Sequence, residues 1–334
     1  AAGVAEKAGL RIGLYLDLAV GEALDGSGTW SDRDAYVWGA SIGSPPDPWA
    51  VDGQDWRLAA LQPATIAAGR NAPFRKLLEA AMRFAGAIRI DHAAALRRLF
   101  LVPFDAAPSE GAYVSYPEEQ MLRVLADMSL AHKCLVIGED LGLIPKGLRE
   151  TLQNSNILSY RILSYEKTPK SFVAPSRYPA LALACVSTHD HQTMSGWWRG
   201  KDVDMRQRHG LVPKEGAEEQ FQERDHERTA LRRAFKAEGI SLPVQEEGAA
   251  DGFVEALVTG AYRYVAKSPS KLVAARLADI IDEPQPTNVP GTSETYPNWR
   301  PKLSIALEEL EDTRLFRRVV EVLKAERPRG IIDG

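Results

Sequence analysis

Six short apolar runs along the chain stop abruptly at charged or polar residues. "LRIGLYLD" (10–17) ends at Asp17, "GAIRID" (86–91) at Asp91 and "KCLVIGED" (133–140) at Glu139-Asp140. "ILSYRILSYE" (157–166) alternates and ends at Glu166, "LALACVSTHD" (181–190) ends at His189-Asp190, and "SKLVAARLAD" (270–279) ends at Asp279. Their length, β-branched content and sharp ends predict strands. Helix spacing appears between them: Phe74, Leu77, Leu78, Ala81 and Met82 within 73–86, and Met121, Leu122, Leu125 and Met128 within 118–133. Strand, helix, strand, with near-continuously apolar strands, predicts an α/β fold whose parallel sheet is covered on both faces.

Three segments depart from this rhythm. Residues 22–72 are rich in Gly, Pro, Asp and Trp and are too long for an ordinary connection, so they read as a functional loop or small inserted subdomain. Residues 199–250 are highly charged and read as solvated helices inserted between strands. Residues 303–327 form an amphipathic C-terminal helical region. The opening "AAGVAEKAGL" reads as the end of an amphipathic helix feeding a strand.

Composition narrows the partners. With 41 basic and 45 acidic residues the net charge is −4, which offers no basic surface for nucleic acid. No apolar run approaches the ~20 residues of a membrane span, and no signal peptide is visible. Cys134 and Cys185 both sit inside apolar runs and read as buried free thiols. Such sparse cysteine usage points to a reducing, cytoplasmic setting.

The strand ends carry the chemistry. In a (β/α)8 barrel the C-terminal ends of the strands build the active site, and Asp17, Asp91, Glu139 and Asp190 would all stand there. A single Asp after a strand is usually a turn or helix-cap residue. A cluster of carboxylates costs mutual repulsion, which makes sense where acid/base and nucleophilic work is done. Glycosyl transfer with retention needs this: one carboxylate as nucleophile and one protonated carboxyl as acid, about 5–5.5 Å apart. Arg89 would keep Asp91 ionised, Gly138 would allow close approach, and ionised Asp140 would raise the pKa of Glu139. Trp49, Trp56, Trp197, Trp198 and Trp299, in Gly/Pro-rich or strand-end contexts, offer flat faces suited to sugar rings.

"RIDH" (89–92), "GEDLG" (138–142) and "STHD" (187–190) together resemble the 4-alpha-glucanotransferases, the amylomaltase or disproportionating-enzyme family. "SPPDPW" with "GQDW" (44–56), "GAYVSYP" (111–117) and "NVPGTSETYPNWRPKL" (288–303) agree in order and spacing, and the likeness is nearest to the long bacterial form. The resemblance implies a (β/α)8 barrel with inserted subdomains, acting on maltooligosaccharides and other α-1,4-glucans with no cofactor and no metal. It implies Asp91 as nucleophile, Glu139 as general acid/base and Asp190 as the third carboxylate. Asp17, Asp47, Gln54, Trp56, Arg89, His92, His189 and Asn288 match positions that bind glucan or support the site. The chain begins at what resembles the third barrel strand, so residues 1–334 are expected to form the C-terminal major part of the barrel. An isolated chain lacking the first strands is expected to be inactive, or to cover the gap by self-association. A second departure is "HDHQT" (189–193), where the family often has an apolar residue and then Pro.

Three rival readings remain open from the residues. An α-glucan hydrolase of the alpha-amylase group would use the same carboxylates with water as acceptor. A metal-dependent amidohydrolase would use His189-x-His191, although six histidines are a thin supply. A truncated chain could also bind glucan without turning it over.

Overall fold

The structure, a computed structural model, describes residues 1–47, 52–168, 170–244, 250–283, 285–289, 291–292 and 295–328. Its described strands are β1 (Tyr15–Leu18), β2 (Glu22–Ala23), β3 (Ala40–Ser44), β4 (Gln54–Ala59), β5 (Ala87–Ile90), β6 (Arg98–Pro103), β7 (Ala112–Ser115), β8 (Leu135–Gly138), β9 (Leu158–Ile162), β10 (Ala182–Cys185) and β11 (Leu272–Ala274). The chain divides into two compact units, Ala1–Tyr160 and Arg161–Gly334.

In the first unit β1, β5 and β8 pair in parallel, and β8 continues onto the start of β9 through Gly138↔Ser159. The helices predicted between the runs are present. Ala72–Met82 buries Phe74, Leu78 and Met82, one stripe four residues apart. Glu118–His132 buries Met121, Val124, Leu125 and Met128. Glu118 and Glu119 face the positive end of its dipole, and Lys133 in the left-handed region terminates it. Both stripes share one core with Ile88, Ile90 and Val136 from the sheet. Every residue of β5 is buried, as expected for a strand covered on both faces. The run 10–17 becomes a strand only from Tyr15, because Gly13 takes φ +75 and breaks the extended backbone.

A second, antiparallel sheet in this unit has the order β2-β4-β3-β6-β7. Part of residues 22–72 is therefore sheet, completed by Arg98–Pro103 and Ala112–Ser115 from beyond β5.

In the second unit β10 and β11 pair in parallel. Around them lie the helices Met194–Arg199, Lys201–Arg208, Lys214–Ala237, Ala250–Ala266 and Arg314–Glu326. Phe235, Leu257, Val258, Tyr262, Val265 and Val319 belong to one core. The charged segment differs from a fully solvated helix. Lys214–Ala237 buries Ala217, Arg224, Leu231 and Phe235 along one stripe. The buried Arg224 pairs there with Asp202 at 2.7 Å and Glu227 at 2.9 Å. The run 270–279 is a strand only over Leu272–Ala274, and Asp279 lies in the short helix Leu277–Ile280. No helix among the described residues is long and apolar enough to cross a membrane.

Candidate active site

Strand register assembles the first group of side chains. Asp17 on β1 is the register partner of Arg89 on β5, and Asp91 follows Arg89 by two residues, hence on the same face. Arg89 Nη1 donates to both carboxylate oxygens of Asp17 at 2.8 Å. Its Nη2 reaches Asp91 Oδ1 at 2.7 Å. The guanidinium is buried, and its carbon lies 5.5 Å from the ring centroid of Tyr160. Burial works against its charge, but Asp91 and then Asp17 overcome this and raise its pKa well above the ordinary value.

Glu139 follows β8, where Gly138 permits the close packing that its position requires. A Cβ on Gly138 would lie 3.2 Å from the Ala93 side chain and 3.3 Å from that of Ile157. The Glu139 carboxyl is buried. Its Oε2 accepts from the His92 backbone N–H at 2.9 Å and its Oε1 from Leu141 N–H at 2.7 Å. His92 takes φ +47, the left-handed turn that aims this N–H at the carboxyl. Burial pushes the Glu139 pKa up to about 7; the Asp91 charge adds to this, while the Leu141 and His92 N–H groups and Arg89 oppose it. The source differs from the expectation that Asp140 would do this. The fully buried Asp140 carboxylate accepts from Ser159 Oγ at 2.6 Å, Tyr160 N–H at 3.0 Å and Arg149 Nε at 2.9 Å. It pins the turn after β8 to the start of β9.

The antiparallel sheet contributes Gln54 and Trp56, two residues apart on β4 and so on one face. Trp56 Nε1 donates to Gln54 Oε1 at 3.1 Å, and the indole stands edge-on to His92 at 5.5 Å. Burial, then the charge of Arg98, lowers the His92 pKa to about 4, so its imidazole is neutral at pH 7. Asp47 is half-buried, three residues past β3. Trp49 lies outside the described residues.

The second unit holds a separate group after β10. Asp190 Oδ2 is 3.1 Å from His189 Nε2, and Asp190 Oδ1 accepts from Asn288 Nδ2 at 2.8 Å. Burial works to raise the Asp190 pKa, but His189 and then Asn288 outweigh it and hold the carboxyl down at about 2. Trp299, 60% exposed, packs against the His189 ring at 5.3 Å, and its backbone N–H donates to Thr287 O at 3.0 Å. Trp198 is instead a core residue, and the half-buried Trp197 packs against the same core. His191 is not arranged as a metal ligand: Nδ1 meets Thr188 Oγ1 at 2.6 Å and Nε2 meets Tyr165 Oη at 3.1 Å. Among the described residues no group of three or more His, Cys, Asp or Glu is placed to hold a metal ion.

Two further residues of this group have contacts that the hydropathy pattern does not show. Asp279 is fully buried and accepts from Ser187 Oγ at 2.5 Å, Met194 N–H at 2.6 Å and Tyr262 Oη at 3.0 Å. Burial raises its pKa. Arg276 donates to His191 O at 2.7 Å. Its only local signal is its place just past a short apolar run.

The model of glycoside hydrolase family 77, described as 4-alpha-glucanotransferase, matches residues 1–307. The chain is 34% identical over 301 residues to the 4-alpha-glucanotransferase of Haemophilus influenzae, covering 90% of this chain and 43% of that protein. It is 33% identical over 330 residues to that of Mycobacterium bovis, covering 96% and 45%. The crystal structure of amylomaltase from Corynebacterium glutamicum superposes with a TM-score of 0.89 at 30% identity, covering 96% of this chain and 48% of that one. Amylomaltase from Streptococcus agalactiae in complex with acarbose shares the fold, with a TM-score of 0.69 at 16% identity, covering 93% and 57%. The chain thus spans less than half the length of the two sequence relatives. By the match over residues 1–307, this chain belongs to the 4-alpha-glucanotransferase family, glycoside hydrolase family 77.

Proposed function

We propose that the chain carries the catalytic carboxylates of a retaining 4-alpha-glucanotransferase that moves α-1,4-glucan segments between maltooligosaccharides. The observation that carries this reading is the contrast between two neighbouring carboxyls. Asp91 is paired with a buried guanidinium, whereas Glu139 is buried with its pKa near 7. Divergent environments of this kind separate nucleophile from acid.

In the first step Asp91 attacks the anomeric carbon of the donor glucan while protonated Glu139 gives its proton to the departing glycosidic oxygen. The C–O bond to the leaving segment breaks, and an ester to Asp91 forms. In the second step Glu139, now a carboxylate, takes the proton from the 4-hydroxyl of an acceptor. That oxygen displaces Asp91 and restores the α-linkage. Asp190, kept ionised by His189 and Asn288, holds sugar hydroxyls and stabilises the positive charge developing on the ring. Arg89 and Asp17 hold Asp91, and Trp56, Gln54, His92 and Asp47 contribute to glucan binding. The supporting architecture is a (β/α)8 barrel, a reading favoured by the parallel pairings of β1, β5 and β8 and of β10 and β11. The setting is cytoplasmic glucan metabolism.

Product analysis from maltotriose tests the reaction class. Glucose together with oligomers longer than maltotriose supports transfer. Shortening alone supports an α-glucan hydrolase, and binding without products supports a non-catalytic fragment.

A further inference from the structure

We propose that Arg276 is a positioning residue for Asp190. This rests on the role given to Asp190 above and deepens it.

Arg276 lies two residues past β11, and its backbone N–H donates to Tyr262 Oη at 3.0 Å. The same hydroxyl donates to the buried Asp279, so the start of the Arg276 side chain is anchored in the core. From there the guanidinium reaches two different chain segments. Nη1 donates to His191 O at 2.7 Å and Ser187 Oγ at 3.3 Å, on either side of Asp190 in the loop after β10. Nη2 donates to Thr287 Oγ1 at 3.3 Å, directly before Asn288.

These segments meet at the Asp190 carboxylate, which takes the Asn288 amide at 2.8 Å. Their side chains converge across nearly a hundred residues of sequence, and a short polar contact between two loops does not set its own distance. One rigid planar cation bonded to both loops does. Arginine suits this work because its donors point in fixed, divergent directions, whereas a lysine ammonium is a single point charge on a flexible stem. Displacing a reacting or charge-stabilising group by about 1 Å can cost on the order of 100-fold in rate. Arg276 touches neither the Asp190 carboxylate nor its donors in the contacts described, so its effect passes through the loops.

The test compares the variants Arg276→Ala, Arg276→Lys, Asn288→Ala and the Arg276→Ala/Asn288→Ala double variant in maltotriose disproportionation, with melting temperatures measured alongside. The expected result for Arg276→Ala is a fall in kcat on the order of 100-fold with a much smaller change in KM. The double variant should be no slower than the slower single variant, because both changes release the same carboxylate. Arg276→Lys should keep the wild-type melting temperature yet recover only part of the rate. Wild-type kcat in Arg276→Ala, or losses that multiply in the double variant, would overturn the proposal. If the wild-type protein makes no transfer products, the transferase reading fails independently. The crystal structure of Arg276→Ala then decides: separation of Asn288 from Asp190 supports the positioning role, and an unmoved pair refutes it.

Discussion

Arg89 stands between two carboxylates, bonded to Asp17 on the neighbouring strand and to Asp91 two residues ahead on its own. The two partners are served by different nitrogens of the planar guanidinium, Nη1 for Asp17 and Nη2 for Asp91. Arg89→Lys is expected to keep the charge but lose one of the two partners, with activity falling on the order of 100-fold. Arg89→Met removes the cation altogether. Both carboxylates are more than a third exposed and water screens them, so the expected stability loss is about 2 kcal/mol, well below that of a fully buried pair. Urea denaturation beside steady-state assays checks both.

The pH dependence follows from Glu139. Its pKa is raised from 4.5 to about 7 in the folded protein. The folded state therefore holds this proton where the unfolded chain has lost it. Stability contributed at low pH is lost as pH rises from 4.5 to about 7, a fall on the order of 3 kcal/mol that levels off above. Glu139→Gln should remove that fall while reducing kcat on the order of 1,000-fold. In the wild type, kcat/KM should decline above pH 7 as the acid loses its proton. Asp190, held down at about 2, should add nothing to the profile above pH 4.

Asp140 is expected to matter for stability. Asp140→Ala strips acceptors from Ser159, the Tyr160 N–H and Arg149 in a fully buried place. The expected cost is about 3 kcal/mol, read from the denaturation midpoint at constant slope. Asp140→Asn, which keeps one acceptor for Tyr160 N–H, should cost less.

Trp56 should act on binding. Trp56→Ala removes both the indole face and the edge contact to His92. KM for maltotriose is expected to rise about tenfold with a smaller change in kcat. Trp56→Phe keeps a ring against His92 and should recover most of the loss.

Local hydropathy marks Asp91, Glu139 and Asp190, because a buried strand that stops at a charge is visible within ten residues. The proximity of Arg89 to Asp91 is equally local. Its second partner is not: Asp17 is 72 residues away in sequence and arrives only through strand register. The antiparallel pairing of β3 with β6 has the same character, since the polar face of such a strand depends on neighbours that the segment itself does not name. Asp140 reads as a charge beside Glu139, yet its acceptors are spent on β9 and Arg149. Asp279 and Arg276 sit past a short apolar run, where nothing nearby distinguishes a buried network from a turn. Their meaning lies in contacts 85 to 92 residues away.

The most direct measurement is peptide mass spectrometry of Glu139→Gln quenched during turnover of α-maltotriosyl fluoride, whose fluoride departs without a general acid, so that the variant slows release of the intermediate but not its formation. The expected result is a glycosyl mass added to the peptide that contains Asp91, and its absence in Asp91→Asn. A glycosyl adduct on the Asp190 peptide, or undiminished transfer by Asp91→Asn, would contradict Asp91 as the nucleophile.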